Sequence, residues 1–214
     1  MGVSLDYINK IIDEDYKNPI NRGWIEHGKC VGKTGATIAE ALGLDATYVY
    51  ILGAIHDIGK RNTREVQQHD ILGYQYLKSL GIEDKYAAVC LTHSYLNNDV
   101  DCVAGGVLPR DNFRTEYIKN HHYSEEELII NLCDLMCKDH RMTLEARMID
   151  LLSRKGFHEN SAYHLKEALK LKNYFDDRIP GGVYHLFPDL TTLTEVGITS
   201  FGDLPYPYHL ITKH

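Results

Sequence analysis

Apolar and polar positions along the chain alternate with a helical period through most of its length. Residues 4–14 place Leu5, Ile8, Ile11 and Ile12 on one face, as an amphipathic helix does. A longer helix is expected over 27–43, with Gly43 as its stop. Asp45 is placed to cap a helix running to about His56 and ending by Gly59. Two more helices are expected at 69–80 and 83–94, parted by Gly81. The stretch 95–123, rich in Asn, Asp, Gly and a His pair, reads as a long irregular excursion. Ser124 followed by Glu127 is a capping box that opens a helix to about Cys137. Helices at 143–154 and 160–177 follow, and beyond Pro180 the Pro-, Gly- and Thr-punctuated chain predicts a tail laid over the helical body. The fold class is therefore all-α, with a short irregular C-terminal extension. We expect one domain over 1–214, with C-terminal helices and tail from 141 onward.

The phase of certain polar residues within these helices carries chemistry. His27 shares a face with Val31, Ile38 and Leu42; His56 with Val49 and Leu52; His69 with Leu72, Gly73 and Tyr76; His93 with Tyr86, Val89 and Cys90; Asp134 with Ile130, Cys133 and Cys137. Each lies on or beside the stripe that faces the core, at or near a helix end. A single inward His is usually satisfied by one hydrogen bond. Four imidazoles with Asp57 and Asp134 are much harder to satisfy pairwise, because an isolated buried carboxylate is costly. One divalent cation, or a pair, resolves this. A mixed imidazole and carboxylate set suits Fe, Mn, Co, Ni or Zn.

The order His, His-Asp, Asp resembles the HD superfamily of metal-dependent phosphohydrolases. It stands here as His27 in WIEHGKCVGK, His56-Asp57 in GAIHDIGK and Asp134 in NLCDLMC, over roughly residues 20–140. His69 in HDILGYQYL and His93 in CLTHSYL match the extra histidines of members with two metals. The resemblance implies an HD-domain helical bundle. It also implies one ion on His27, His56, Asp57 and Asp134, with Asp57 bridging to a second on His69 and His93, iron being favoured for such a pair. It implies metal-activated water attacking a nucleotide or other small phosphorylated substrate. Asp57 would fix the metal separation and Lys60, three residues on, would neutralise phosphate charge. Arg61 and Arg64 are further candidates for that role, against a solvated turn after the helix. The GYP motif of the cyclic dinucleotide phosphodiesterases is absent, and this chain has His93-Ser94 where they tend to carry paired His. In size and His pattern the chain is similar to HD-type dinucleoside tetraphosphatases, a likeness confined to the ligands. Two other readings stay open: a mixed-valent di-iron oxygenase like myo-inositol oxygenase, and a non-catalytic nucleotide-binding HD protein.

Composition narrows the partners. A net charge of −7 argues against binding nucleic-acid polymers. Five Cys, odd in number and without a CxxC, argue against a secreted disulfide framework, and the thiols of Cys133 and Cys137 are expected to be buried rather than zinc-bound. Neither a signal peptide nor an apolar run of membrane-spanning length is visible, so a cytoplasmic protein with no membrane contact is expected. His121-His122 is expected to be exposed on a loop, and His140 and Arg141 either to reach the site or to favour a helix C-terminus. His158, His164, His185 and His209 receive no role.

Overall fold

The computed structural model describes residues 3–61, 68–101 and 112–192. Arg64, Cys102, Gly105-Gly106 and residues 193–214 of the tail, His209 included, lie outside the described residues. Within them the protein is all-helical: nine α-helices, no strand, and two isolated bridges, Cys137–Arg141 and Met142–Thr191. The helices are α1 (Leu5–Tyr16), α2 (Arg22–Leu42), α3 (Ala46–Ile55), α4 (His69–Ser79), α5 (Asp84–Thr92), α6 (Asn112–Asn120), α7 (Glu125–Asp134), α8 (Leu144–Lys155) and α9 (Ser161–Asp176). No helix among the described residues is long and apolar enough to cross a membrane.

Local signals set most of the boundaries. The side chains of Ser4, Asp45 and Thr143 accept from Tyr7, Tyr48 and Ala146 backbone N–H groups, at 3.2, 3.0 and 3.2 Å. Ser124 and Glu127 complete a reciprocal capping box at the start of α7. Gly43 ends α2 at φ 72°, a left-handed turn open to glycine. Helix α2 begins one turn and more before the expected 27, because Asn18 caps a 3-10 turn (Pro19–Asn21) that runs straight into it. Trp24 and Ile25 are thereby buried ahead of His27.

One continuous apolar core runs from Ile8 on α1 to Phe187 near the C-terminal end. At its centre, α2 and α3 pack antiparallel with their backbones in contact. A Cβ on Gly53 would lie 2.5 Å from the Cα of Gly32, and one on Gly28 would lie 2.9 Å from the Ala54 carbonyl. Only hydrogen fits at these crossings. Helix α7 packs across both, and α4 and α5 form a second pair on the other side of the turn that follows α3.

The segment 95–123 differs from expectation. It is not irregular throughout: a 3-10 turn (Leu96–Asn98) and α6 lie within it. The residues α6 buries are Arg114 and Ile118, one turn apart, whereas Phe113 is half exposed. A helix that buries a charge through an ion pair lacks the apolar stripe by which helices are read.

Candidate metal centre

The backbone contact between α2 and α3 brings His27, five residues before Gly32, beside His56, three residues after Gly53. Their Nε2 atoms are 3.3 Å apart. His56 is the C-cap of α3, and Asp57 opens the 3-10 turn Ile58–Lys60. Asp134, the last residue of α7, places Oδ1 2.9 Å from His27 Nε2 and 3.8 Å from His56 Nε2. On the other side of the turn, His69 is the first residue of α4 and His93 the C-cap of α5, with Nε2 atoms 3.3 Å apart.

The Asp57 carboxylate stands between the two groups. Oδ2 faces His56 Nε2 at 3.6 Å and His27 Nε2 at 3.8 Å. Oδ1 faces His69 Nε2 at 3.2 Å and His93 Nε2 at 3.7 Å. Four of the residues singled out from the sequence thus face the Asp57 carboxylate, and Asp134 joins them through His27 and His56.

Hydrogen bonds behind the rings orient the nitrogens. His56 Nδ1 lies 2.6 Å from the Gly53 carbonyl, and His93 Nδ1 lies 3.0 Å from the Val89 carbonyl. A carbonyl only accepts, so the proton sits on Nδ1 and the Nε2 lone pair points into the site. Burial pushes the His56 imidazole down to about 3, and it lowers His93 as well. Both rings are therefore neutral at ordinary pH. His27 Nδ1 rests 2.9 Å from the Lys138 carbonyl, so both of its nitrogens face acceptors. Burial opposes its charge most, but the Asp134 and Asp57 carboxylates together raise the imidazole above its ordinary value. Asp57 and Asp134 are held well below the usual carboxylate range despite burial, Asp57 mainly by Lys60 and His56, Asp134 mainly by His27.

A cation fits this donor set. Asp57 Oδ1 is buried, 3.2 Å from His69 Nε2 and 3.7 Å from His93 Nε2. A buried carboxylate is costly unless charge or donors meet it, and a cation held between these nitrogens and the carboxylate would do so. Two overlapping groups have the ligand atoms and spacing to hold an ion: His27, His56 and Asp134, and His56, Asp57 and His93. No cysteine joins either group. Cys30, Cys90, Cys133 and Cys137 are free thiols, all but Cys30 buried.

The other candidates fall differently. The Lys60 ammonium contacts Asp57 Oδ2, with its side chain 28% exposed at the edge of the site. Arg61 turns away: its guanidinium meets Asp15 at 3.0 and 2.7 Å and stacks over the Tyr76 ring. It ties α1 to the turn and is not placed for phosphate. Arg141 pairs with Asp189 and Thr34, which fastens the C-terminal segment to α2 and leaves no reach into the site. His140 pairs with the exposed Asp139. His121 is not loose on a loop; it lies 2.8 Å from the buried Glu127 carboxylate, whereas His122 is exposed. His164 is buried against Asp99 at 2.9 Å, outside the six-residue group.

Residues behind the ligands were missed in the sequence. Asp70 follows His69 and reads there as an ordinary acidic residue in a helix first turn, yet it is fully buried. Gly59 reads as a helix stop, yet it is the contact point between the turn and α4, as a Cβ there would lie 1.8 Å from the His69 carbonyl oxygen. No curated protein and no solved structure matches the chain. The description of one family, HD domain, matches residues 24–155, well over half of the sequence and all six converging side chains.

Proposed function

The chain belongs to the HD domain family, and from that membership we propose that it is a metal-dependent phosphohydrolase acting on a nucleotide or another small phosphorylated metabolite. The observation that carries this reading is the division of the Asp57 carboxylate, with Oδ2 toward His27 and His56 and Oδ1 toward His69 and His93. In this reading His27, His56, Asp57 and Asp134 hold one divalent transition-metal ion, and Asp57 is shared with a second on His69 and His93. Iron, manganese, cobalt, nickel and zinc all suit such ligands. Bound there, the pair would polarise a phosphoryl oxygen and lower the pKa of a water between them.

The protein's own residues do the rest. Asp57 sets the separation of the two positions. The backbone carbonyls behind His56 and His93 keep both Nε2 lone pairs aimed inward, so binding needs little reordering. Lys60, at the edge of the site, offers the positive charge that a phosphate needs as it gathers charge. The net charge of −7 favours a small anion drawn to a local cationic site over a polyanion spread across the surface.

The test is to strip the protein with chelator and reload it with each of the five metals. It is then assayed against phosphomonoesters, nucleotides and cyclic or dinucleoside phosphodiesters. Turnover with at least one metal, lost to background in His56→Ala, is the expected result. No turnover with any metal, together with bound iron and O₂ uptake, would overturn it in favour of an oxygenase.

A further inference from the structure

Behind the His69 and His93 side of the centre lies a second group of polar residues. Asp70 is 1% exposed, Tyr95 1% and Arg114 3%. The Tyr95 hydroxyl donates to Asp70 Oδ2 at 2.8 Å. The Arg114 guanidinium donates to the same oxygen at 3.1 Å. Asp70 Oδ1 accepts from the Ile71 backbone N–H at 2.8 Å. A buried carboxylate with this many donors is satisfied, and a buried ion pair needs such bonds to offset its desolvation.

The placement of the three residues matters more than their strength. Asp70 is the residue next to His69, in the first turn of α4. Tyr95 is two residues after His93, just past the end of α5. The Tyr95–Asp70 bond therefore joins the backbones that carry the two imidazoles facing Asp57 Oδ1. Arg114 brings α6 into the same joint. Tyr95 is itself fixed, since its carbonyl accepts from the Tyr123 hydroxyl at 2.8 Å.

The His27 and His56 side of the centre is held differently. His27 and His56 sit on α2 and α3, which are locked backbone to backbone at Gly32 and Gly53.

We infer that Asp70, Tyr95 and Arg114 are positioning residues that hold His69 and His93 at the spacing a cation requires, and so set the affinity of that position alone. This rests on the proposed metal centre. It makes α6, through Arg114, part of the support of that position.

The experiment is a cobalt titration of the stripped, full-length protein, followed by visible absorption and by metal count per chain. The variants are Tyr95→Phe and Arg114→Met, with the Asp70→Asn/Arg114→Met double substitution for the case in which Arg114→Met alone does not fold. Circular dichroism and melting temperature are recorded in parallel. The wild type is expected to bind two ions. Each folded variant is expected to keep one at unchanged affinity and to bind the other ten- to a hundredfold more weakly, the range typical when a partner behind a ligand is removed. A purely structural role would weaken both ions together, which overturns the inference. Retention of both ions at wild-type affinity in folded Tyr95→Phe and Arg114→Met also overturns it. A wild type that binds a single ion overturns the inference and the two-ion arrangement but leaves a metal-dependent hydrolase standing, whereas a wild type that binds none overturns that too.

Discussion

Replacing Gly59 with Ala tests how the turn after the His-Asp pair is seated. The backbone at Gly59 is not left-handed, so alanine is conformationally allowed and the obstacle is space alone. The new Cβ would lie 1.8 Å from the His69 carbonyl oxygen and 2.6 Å from the Gly73 nitrogen, both backbone atoms of α4. An ordinary carbon–oxygen contact is about 3.3 Å, so the turn and α4 must part by about 1.5 Å. Overpacking of this kind costs roughly 1–3 kcal/mol. At roughly 2–4 °C per kcal/mol for a chain of this size, the metal-free protein should melt about 2–12 °C lower. The same displacement carries His69 away from Asp57 Oδ1, from which it is now 3.2 Å. Calorimetry of the stripped protein gives the first quantity, and a cobalt titration gives the second as loss of one bound ion. Gly23→Ala is the control: nothing lies within 4 Å of a Cβ there, on α2. It should be neutral or stabilise by up to about 1 kcal/mol through helix propensity. If Gly59→Ala melts within a degree or so of the wild type and holds both ions, the steric reasoning is wrong.

Three further outcomes follow from other contacts. Adding a divalent ion at about a hundred times its Kd should raise stability by about 2.7 kcal/mol, seen as a melting-temperature rise that chelator reverses and that His56→Ala/His93→Ala lacks. Arg61→Met should cost about 1–2 kcal/mol by stranding the buried Asp15 carboxylate, with metal content unchanged; loss of metal without loss of stability would instead place Arg61 in the site. The third concerns Asp84. Burial works against its charge, but hydrogen bonds from Tyr74 and Tyr117 and the nearby Lys78 lower its carboxyl below the ordinary 3.8. A folded-state value below the unfolded one adds stability that is fully present above the unfolded value and is lost as pH falls through the folded one. Asp84→Asn should therefore be less stable at neutral pH, by under about 1 kcal/mol since the residue is half exposed, and the gap should close below about pH 4 in acid-dependent melts.

Most helices and all six converging side chains could be read from the sequence because their causes are local. Asp45 caps α3 and Ser124 caps α7 whatever lies around them. His27, His56, His69, His93 and Asp134 each lie on or beside the apolar stripe of a helix, so burial of the stripe buries the polar group too, whereas Asp57 follows His56 in the turn. What could not be read depends on contacts distant in sequence. Arg114 is buried only because Asp70, 44 residues earlier, is there to pair with it. Arg61 stacks on Tyr76 and binds Asp15, 46 residues earlier, which no turn signal indicates. His121 is drawn in by Glu127, whose capping role was visible but whose spare acceptor capacity was not.

The placement of Asp57 also follows from contact between backbones more than from its own side chain. Residues 56–59 join two helical groups that otherwise meet across the core. His56 at one end is fixed by the α2–α3 contact at Gly32 and Gly53. Gly59 at the other end is pressed against the first turn of α4. A turn this short, pinned at both ends, leaves the residue between no freedom to point elsewhere. Its carboxylate must lie on the seam, with one oxygen toward each group. A carboxylate on such a seam is costly to bury; Lys60 meets its Oδ2 from the edge of the site, and a cation held together with the imidazoles of both groups would satisfy the rest.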